Sequence, residues 1–330
     1  MARFPTLCPA PDGVAAREEL LNFPGIQMKH RILRVAAACA AVMAAGSVHA
    51  DVVTFDDFSS TTGLTLIGNA ATATTGDGTV LRVTPAVGNN SGAAYSTSPI
   101  TLGASDTFST TFKFRLTDPG GIDPADGITF VLAANPTGLG GLGVGMGYSG
   151  VPNSVAIEFD TYNNAGYGLG DNDGDSSNHV SIDTGGNLAN ANLVNVYGNG
   201  SCGFATGSPA QNNYATPGCM SNGDVWTATV GYDGSKLSLT IQDGSMAPDV
   251  IYAGLPIDIA GALGTDQAYV GFTSGTGAGW ENQDILSWGF ANTTQLAPPP
   301  VSGVPEPSEF AMMLLASGLL AGAARVRRRS

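Results

Sequence analysis

Residues 155–183, VAIEFDTYNNAGYGLGDNDGDSSNHVSID, combine side chain types that bind metal ions. Side chains alternate between the two faces of a strand, so VAIEFDTY predicts that Glu158 and Asp160 project from the same side of a sheet. Asn164 follows four residues after Asp160, and an acidic stretch then leads to His179 at the start of a second apolar segment. Carboxylate and amide oxygens suit Ca²⁺, whereas an imidazole beside carboxylates suits a transition ion such as Mn²⁺. These residues therefore predict a metal site with oxygen and nitrogen ligands.

The elements that must position these side chains are predicted to be strands. Segments rich in β-branched and aromatic residues recur along the chain, and clusters of Gly, Asn, Asp and Pro separate them. Residues 51–304 contain no stretch with a sustained period of 3.6 residues. Many short strands with turns between them predict an all-β sandwich or barrel. The clearest strands are predicted at 107–116, 127–134, 154–162, 225–232, 236–243 and 267–274.

Charge and cysteine content narrow the functional classes. Residues 51–304 hold four Lys and Arg residues against 22 Asp and Glu residues, for a formal charge of about −18. Nucleic acids and anionic membranes bind basic surfaces, so this composition argues against both as partners. Cys202 and Cys219 are the only cysteines of this region, and in an exported chain they predict a disulfide that pins the loop between them.

The N-terminal region has the features of a secretory signal peptide. Residues 28–50 begin with a basic stretch, continue with a short apolar run and end in the small-residue cleavage site Val48-His49-Ala50. We interpret Met28 as the natural start and residues 1–27 as an extension in front of it. The mature chain is then expected to begin near Asp51.

The C-terminal region divides into a linker and a tail. Residues 295–304 are rich in proline and predict a stiff linker. Residues 305–330 contain a Pro-Glu-Pro motif, an apolar run and an arginine cluster, in that order. The apolar run of about 15 residues predicts a helix that is short against the roughly 20 residues that span a bilayer comfortably. A plain short membrane anchor is the alternative interpretation.

The three features of the tail resemble the PEP-CTERM sorting signal of Gram-negative bacteria. This resemblance implies that sorting machinery at the inner membrane recognises the tail. It also implies that the protein is exported and reaches the cell surface or the extracellular matrix.

The central region, residues 51–294, resembles the domain of legume-type (L-type) lectins over nearly its whole length. The resemblance lies in FSTTFKFRLTDPGGIDPADGITFVLA, in the pattern Glu-x-Asp-x-Tyr-x-Asn…Asp…His, and in VGFTSGTGAGWENQDILSWGF. It implies a concanavalin A-like jelly-roll sandwich of antiparallel sheets with Ca²⁺ and Mn²⁺, or another transition ion, as cofactors. The implied function is non-catalytic binding of carbohydrate, such as exopolysaccharide or cell-surface glycans. Legume lectins dimerise through their back sheets, so the resemblance leaves a homodimer open.

The lectin resemblance also implies roles for individual residues. Sugar hydroxyls would bind to a carboxylate, a side-chain amide and the backbone of a glycine loop, while aromatic rings would cover the apolar face of the sugar. These carbohydrate-binding residues would be Asp126, Gly143, Gly145, Asn164, Tyr162 and Trp280. The metal ligands would be Glu158, Asp160, the Tyr162 carbonyl, Asn164, a loop aspartate and His179.

The loop aspartate departs from the family pattern. The family places it five residues before the histidine, where this chain has Gly174. Asp175, four residues before His179, is the favoured ligand, and Asp173, six residues before it, is the alternative.

The sequence is also compatible in part with two other functional classes. Related jelly-roll folds include glycoside hydrolases with a Glu-x-Asp-x-x-Glu strand, and Glu158 and Asp160 match the first two positions. The third position is Asn163, which cannot act as the proton donor, so enzymatic activity is not predicted. A structural matrix protein that keeps the lectin fold without binding sugar is the other class. The shifted loop aspartate favours it, and the presence of Asp126 and Asn164 argues against it.

Overall fold

A computed structural model describes residues 52–102, 107–165, 173–204 and 213–293. The predicted signal peptide, proline-rich linker and C-terminal tail lie outside the described residues. All described strand pairings are antiparallel, and they form two sheets of eight strands each. The fold is therefore the predicted all-β jelly-roll sandwich.

The back sheet has the strand order β14-β13-β12-β7-β16-β4-β3, and β1 also pairs with β16. Its strands are β1 (Val52–Phe55), β3 (Ala71–Thr75), β4 (Gly78–Thr84), β7 (Phe108–Gly121), β12 (Trp226–Tyr232), β13 (Lys236–Asp243), β14 (Asp249–Pro256) and β16 (Gly279–Ala291).

The front sheet has the order β11-β10-β9-β8-β15-β5-β2, and β6 also pairs with β15. Its strands are β2 (Leu64–Gly68), β5 (Asn90–Ser96), β6 (Ile100–Thr101), β8 (Gly127–Ala133), β9 (Ser154–Asp160), β10 (His179–Thr184), β11 (Val194–Asn195) and β15 (Gln267–Thr276). One short helix, α1 (Ile259–Leu263), and 3-10 turns at Gly143–Gly145, Val196–Gly198 and Met220–Asn222 complete the described elements.

All six strands predicted from the sequence are confirmed, with small differences at their ends. The largest is β7, which continues past the predicted end at residue 116 to Gly121, because its last residues pair with the start of β16. The observed β9 ends at Asp160, since the chain turns there and the Tyr162 N–H donates to Asp160 Oδ1 at 2.6 Å.

Aromatic side chains fill the space between the two sheets. Phe112 on the back sheet and Phe272 on the front sheet contact edge to face, with ring centroids 5.0 Å apart. Phe130 and Phe159 from the front sheet pack around the same Phe112 ring. Each of these rings is almost fully buried, so the core stabilises the fold mainly through apolar burial and aromatic packing. This rigid core fixes β8 and β9, whose ends carry the candidate site.

Basic residues are confined to one side of the sandwich. The four Lys and Arg residues between residues 51 and 304 are Arg82 on β4, Lys113 and Arg115 on β7, and Lys236 on β13. All three strands belong to the back sheet. Among the described residues, no helix has the length and apolar character that crossing a membrane requires.

Candidate functional site

Three buried side chains on the front sheet form a cluster that could hold a metal ion. Glu158 and Asp160 share one face of β9, and His179, the first residue of β10, pairs directly with Asp160. Each side chain offers one ligand atom, and these atoms all lie within 4.8 Å of one another. His179 Nε2 is 3.3 Å from Glu158 Oε1. The alternation seen in the sequence therefore brings these predicted ligands together across the β9–β10 pair.

Burial sets the charge of this cluster. It lowers the pKa of His179 to about 4, because a buried imidazolium loses its hydration, and the negative charge of Asp173 opposes the effect only in part. His179 is therefore neutral at pH 7, which is the form of an imidazole that binds a metal. Two carboxylates buried side by side repel each other and lose hydration, and a cation between them would relieve both costs. Two carboxylates and a neutral imidazole fit a divalent ion.

A tight turn decides which loop aspartate reaches this region. The Ser176 N–H donates to the Asp173 carbonyl at 2.9 Å, and the two residues between them, Gly174 and Asp175, have φ values of 55° and 65°. Positive φ at both central positions is the geometry of a type I′ turn. Asp175 is exposed at the tip of the turn, whereas Asp173 at its base is buried. The spacing to His179 favoured Asp175, and the turn places Asp173 in the buried region instead.

Asp173 packs against the residues that follow β9. Its carboxylate accepts hydrogen bonds from the Asn164 N–H and from Asn190 Nδ2, the latter at 3.1 Å. Asn164 is itself buried, and its Oδ1 atom has no hydrogen-bond partner in the described part of the chain. An unsatisfied buried amide oxygen is costly, and a bound cation would satisfy it. Asn190 was not predicted, because it lies in a segment rich in Gly, Ala and Asn that shows no ligand spacing.

A cavity of about 260 Å³ opens beside Asn164. The loop before β8, the 3-10 turn at Gly143–Gly145, the residues after β9 and the β15–β16 turn contribute to its wall. Four of the predicted carbohydrate-binding residues line it, namely Asp126, Gly143, Tyr162 and Asn164. The sequence did not single out Asn89, Ile122 and Leu142, which also line the cavity; all three lie in loops between strands.

Two predicted carbohydrate-binding residues do not line this cavity. The ring of Trp280 packs over Gly120 at the end of β7, where an added Cβ atom would collide with the indole. Gly145 is buried inside the 3-10 turn, and its N–H donates to the Leu142 carbonyl at 2.9 Å. The turn thus uses the Gly145 N–H internally, and Gly143 is the turn glycine at the cavity wall.

Asp126 contributes a buried carboxyl group to the cavity wall. Its N–H donates to the Gly275 carbonyl at 3.2 Å, its own carbonyl accepts from the Thr161 N–H at 3.0 Å, and the peptide bond before it is cis. Burial and the negative charge of Asp173 raise the pKa of Asp126 to about 8, against the opposing effect of the Gly277 N–H. Among the described residues, Oδ2 has no hydrogen-bond partner of good geometry. This carboxyl group can therefore bind a hydroxyl-bearing ligand.

A second buried carboxyl group, that of Glu281, stabilises the residues next to the site. Glu281 on β16 is fully buried, and its Oε1 accepts a hydrogen bond from Thr161 Oγ1 at 2.7 Å. Thr161 stands between Asp160 and Tyr162 and also holds the Asp126 backbone. Glu281 therefore ties the β15–β16 hairpin to the residues that follow β9. The sequence showed Glu281 as an isolated acidic residue and gave no sign of this role.

Replacing Glu281 with glutamine is predicted to remove a pH dependence of stability. Burial raises the pKa of Glu281 from 4.5 to about 8, so the folded protein retains a proton that the unfolded chain releases. The stabilisation by this proton is complete below about pH 4.5 and is lost as the pH rises to about 8. In urea unfolding, the free energy of unfolding of wild type should fall by on the order of a few kcal/mol relative to that of Glu281→Gln as the pH rises from about 4.5 to about 8. A wild-type to variant difference that stays constant with pH would contradict the raised pKa.

The predicted disulfide is present and clamps the segment before His179. Cys202 and Cys219 are bonded, with Cα atoms 5.6 Å apart. Asn178 is fully buried beside them; its Nδ2 donates to Gly218 O at 2.8 Å, and its Oδ1 accepts from the Met220 N–H at 2.9 Å. The Asn178 side chain thus joins the disulfide-pinned loop to the start of β10, because Asn178 directly precedes His179.

Replacing Asn178 with alanine is expected to destabilise the protein and weaken metal binding. The change leaves a buried carbonyl and a buried N–H without partners, which costs about 1–3 kcal/mol of unfolding free energy. Urea unfolding and calorimetric titration with Mn²⁺ measure the two effects. Asn222→Ala is a matched control, because Asn222 bonds to Asp243 and Trp226 away from the metal cluster and should lower stability alone. Equal loss of metal affinity in both variants would contradict a specific role for Asn178.

Comparison with known proteins identifies the family to which this fold belongs. A family model described as the legume lectin beta-barrel domain, the L-type lectin domain, matches residues 53–287. The chain belongs to this family of lectins.

Individual relatives are similar at modest identity. Favin from Vicia faba is 30% identical over 227 residues, which cover 64% of this chain and 83% of that protein. A galactose-binding lectin from Arachis hypogaea is 28% identical over 193 residues, covering 56% of this chain and 60% of that protein. The solved lectin from Bauhinia forficata in complex with GalNAc has the same fold, with a TM-score of 0.55 at 23% identity, covering 74% of this chain and 98% of that chain.

Proposed function

We propose that this protein is an exported lectin whose carbohydrate site depends on bound divalent cations. The observation that supports the proposal is that one short segment, residues 160–164, contributes both to the metal cluster and to the cavity wall. Tyr162 and Asn164 line the cavity and directly follow the metal-cluster residue Asp160. Any cation that orders this segment would therefore order one wall of the cavity.

The buried groups that can bind a cation form two overlapping sets of ligands. Glu158, Asp160 and His179 supply the mixed carboxylate and imidazole ligands that suit Mn²⁺ or another transition ion. Ca²⁺ would take oxygen ligands, and we assign to it Asp160, the Tyr162 carbonyl, Asn164 and Asp173. Asp173 replaces Asp175 in this assignment because it is buried against Asn164. When bound, the two cations would hold the segment in place electrostatically. Sugar binding would then not have to offset the entropy cost of ordering it.

The cavity residues match the chemistry of a neutral sugar. Hydroxyl groups both donate and accept hydrogen bonds, which the Asp126 carboxyl and the Asn164 amide can complement. Tyr162 offers an aromatic surface at the same wall. The relatives named for galactose and GalNAc favour neutral hexoses and N-acetylhexosamines as the first compounds to test.

Binding without catalysis is the activity that these residues support. A retaining glycosidase needs a second carboxyl group at the position of Asn163. Asn163 is an amide whose Oδ1 accepts the Ala165 N–H at 2.8 Å, so it stabilises the turn. The relatives named above are also lectins.

The location follows from the sequence features at both ends. A signal peptide at residues 28–50 would direct export, and a PEP-CTERM tail at residues 305–330 would engage inner-membrane sorting machinery in a Gram-negative bacterium. The partners would then be exopolysaccharide or cell-surface glycans. The low content of basic residues fits an extracellular protein that binds cations.

A glycan-array screen of the purified protein tests this function. The screen is run with Ca²⁺ and Mn²⁺ and repeated after EDTA treatment. Binding that disappears with EDTA is the expected result, and the array then names the sugar class. Binding that is indifferent to EDTA would overturn the role of the metals, and absence of binding in both conditions would favour a structural matrix protein.

A further inference from the structure

We propose that Ser181 is a further residue of the transition-ion site, where its hydroxyl group contacts the coordination sphere of the ion. This inference rests on the proposed function and deepens it, because it adds a group of this chain to Glu158, Asp160 and His179. The sequence did not single out Ser181, since a serine two residues after the histidine matches no ligand spacing.

The register of β9 and β10 places Ser181 beside the metal cluster. Side chains alternate along β10, so Ser181 projects from the same face as His179. In the antiparallel pair, Ser181 lies directly opposite Glu158, and His179 lies directly opposite Asp160. Residues opposite each other in such a pair have Cβ atoms about 4.5–5.5 Å apart. The four side chains therefore occupy two adjacent rows on one face of the front sheet.

The hydroxyl group of Ser181 is buried and lacks a partner. Ser181 is fully buried, and its Oγ makes no hydrogen bond within the described part of the chain. Ser154, a fully buried serine on the same face of β9 as Glu158, instead donates its Oγ hydrogen to Val151 O at 2.7 Å. A buried hydroxyl group without a partner is unfavourable. A cation at the cluster, or a water that accompanies it, would supply the missing partner.

The position of Ser181, and not the unpaired hydroxyl alone, points to an ion. Ser109 on β7 is also buried, and its Oγ also lacks a hydrogen bond among the described residues. The residues opposite Ser109 are Gly231 and Ala291, whose side chains offer no ligand atom. Ser181 combines the unpaired hydroxyl with a carboxylate directly opposite, and this combination is what a metal site requires.

The strand register also indicates which of the two cations Ser181 faces. Ser181 lies opposite Glu158, which we assign to the transition ion alone. The groups assigned to Ca²⁺ alone belong to residues 162–164 and to Asp173, which follow the end of β9 beyond Asp160. A hydroxyl group both donates and accepts hydrogen bonds, so it can hold a carboxylate ligand or a coordinating water in place. Groups in this role typically change metal affinity by about 10- to 100-fold.

Ser181→Ala separates a role in metal binding from a structural role. In metal-free protein the change removes an unpaired buried hydroxyl, so the midpoint of urea unfolding should equal or exceed that of wild type. Calorimetric titration of EDTA-stripped full-length protein with Mn²⁺ should show binding weakened about tenfold, which corresponds to about 1.4 kcal/mol. Ca²⁺ affinity, measured in the presence of saturating Mn²⁺, should stay within about threefold of wild type.

Ser109→Ala is the matched control, because it removes an equally buried and unpaired hydroxyl from the back sheet. It should leave the Mn²⁺ affinity unchanged. Wild-type Mn²⁺ affinity in Ser181→Ala would overturn the role of Ser181 and leave the proposed function intact. A lower urea midpoint in metal-free Ser181→Ala, with Mn²⁺ and Ca²⁺ affinities reduced alike, would show a structural role and also overturn the inference. Failure of wild type to bind Mn²⁺ would overturn the metal dependence in the proposed function, and the role of Ser181 with it.

Discussion

Asp160→Ala is expected to abolish both cation binding and carbohydrate binding. Asp160 is the one carboxylate assigned to both cation sites, and its Oδ1 also accepts the Tyr162 N–H at 2.6 Å. Its loss removes a shared ligand and a fixed point of the cavity wall. Metal affinity should fall by more than about 100-fold, beyond the effect typical of outer-shell substitutions. Titration of EDTA-stripped protein with Mn²⁺ and then Ca²⁺ measures the loss, and binding to the sugar identified on the array measures its consequence.

A conservative variant separates this effect from misfolding. Asp160→Asn keeps an oxygen that can accept the Tyr162 N–H and removes only the charge. It should fold normally by circular dichroism and still lose metal and sugar affinity together. Retention of sugar affinity by metal-free Asp160→Ala would overturn the cation-dependent mechanism.

The two loop aspartates provide an internal comparison for the same experiment. Asp173→Ala removes a buried carboxylate beside Asn164 and should weaken Ca²⁺ binding strongly. Asp175→Ala removes an exposed carboxylate at the tip of the turn and should change Ca²⁺ affinity by less than about twofold. The opposite ranking would restore Asp175 as the ligand and show that the loop rearranges around the ion.

Asp126→Ala is expected to abolish carbohydrate binding while metal binding is retained. The side chain lines the cavity, whereas the hydrogen bonds that fix its backbone do not involve the carboxyl group. Removal of this group would leave two buried sugar hydroxyls without partners, at a cost of about 1–3 kcal/mol each, so the affinity should fall about 100-fold. The same titrations measure both ligands, and Mn²⁺ affinity should stay within about threefold of wild type.

Stability gives an independent check on Asp126→Ala. Burial raises the pKa of Asp126, so the folded protein disfavours its ionised form and gains little from it at neutral pH. The variant should therefore unfold at a urea concentration equal to or above that of wild type. Loss of both stability and metal binding would show that Asp126 acts as a structural support instead of a ligand-binding group.

The sequence predicted the parts of the structure that depend on local periodicity. Alternation along residues 154–162 correctly predicted β9, and the same alternation placed Glu158 and Asp160 on one face. The presence of only two cysteines between residues 51 and 304, in a chain predicted to be exported, was enough to predict their bond. These features require only that a strand has a period of two and that an exported chain oxidises paired thiols.

The remaining features depend on chain reversals and on contacts distant in sequence. Asp173 lies in the buried region because two residues with positive φ form the turn after it, and residue counting along the chain cannot reveal that turn. Trp280 packs over a glycine of β7, a pairing set by the register of β7 and β16. Glu281 contacts Thr161 across 120 residues of sequence. Nonlocal packing therefore controls the details of the site that its motif leaves undetermined.

The confinement of Lys and Arg to the back sheet gives the sandwich a fixed electrical polarity. The strands of the front sheet carry Glu158, Asp160 and Asp183 and no Lys or Arg, so the field on that side is more negative than at the back sheet, where Lys and Arg offset the acidic residues. Such a field accelerates the arrival of divalent cations and slows the approach of polyanions, and both effects weaken as ionic strength rises. Metal loading should thus be fastest in dilute buffer. A sulfated or uronic acid-rich polymer should orient the molecule with its back sheet toward the polymer and its sugar cavity facing away.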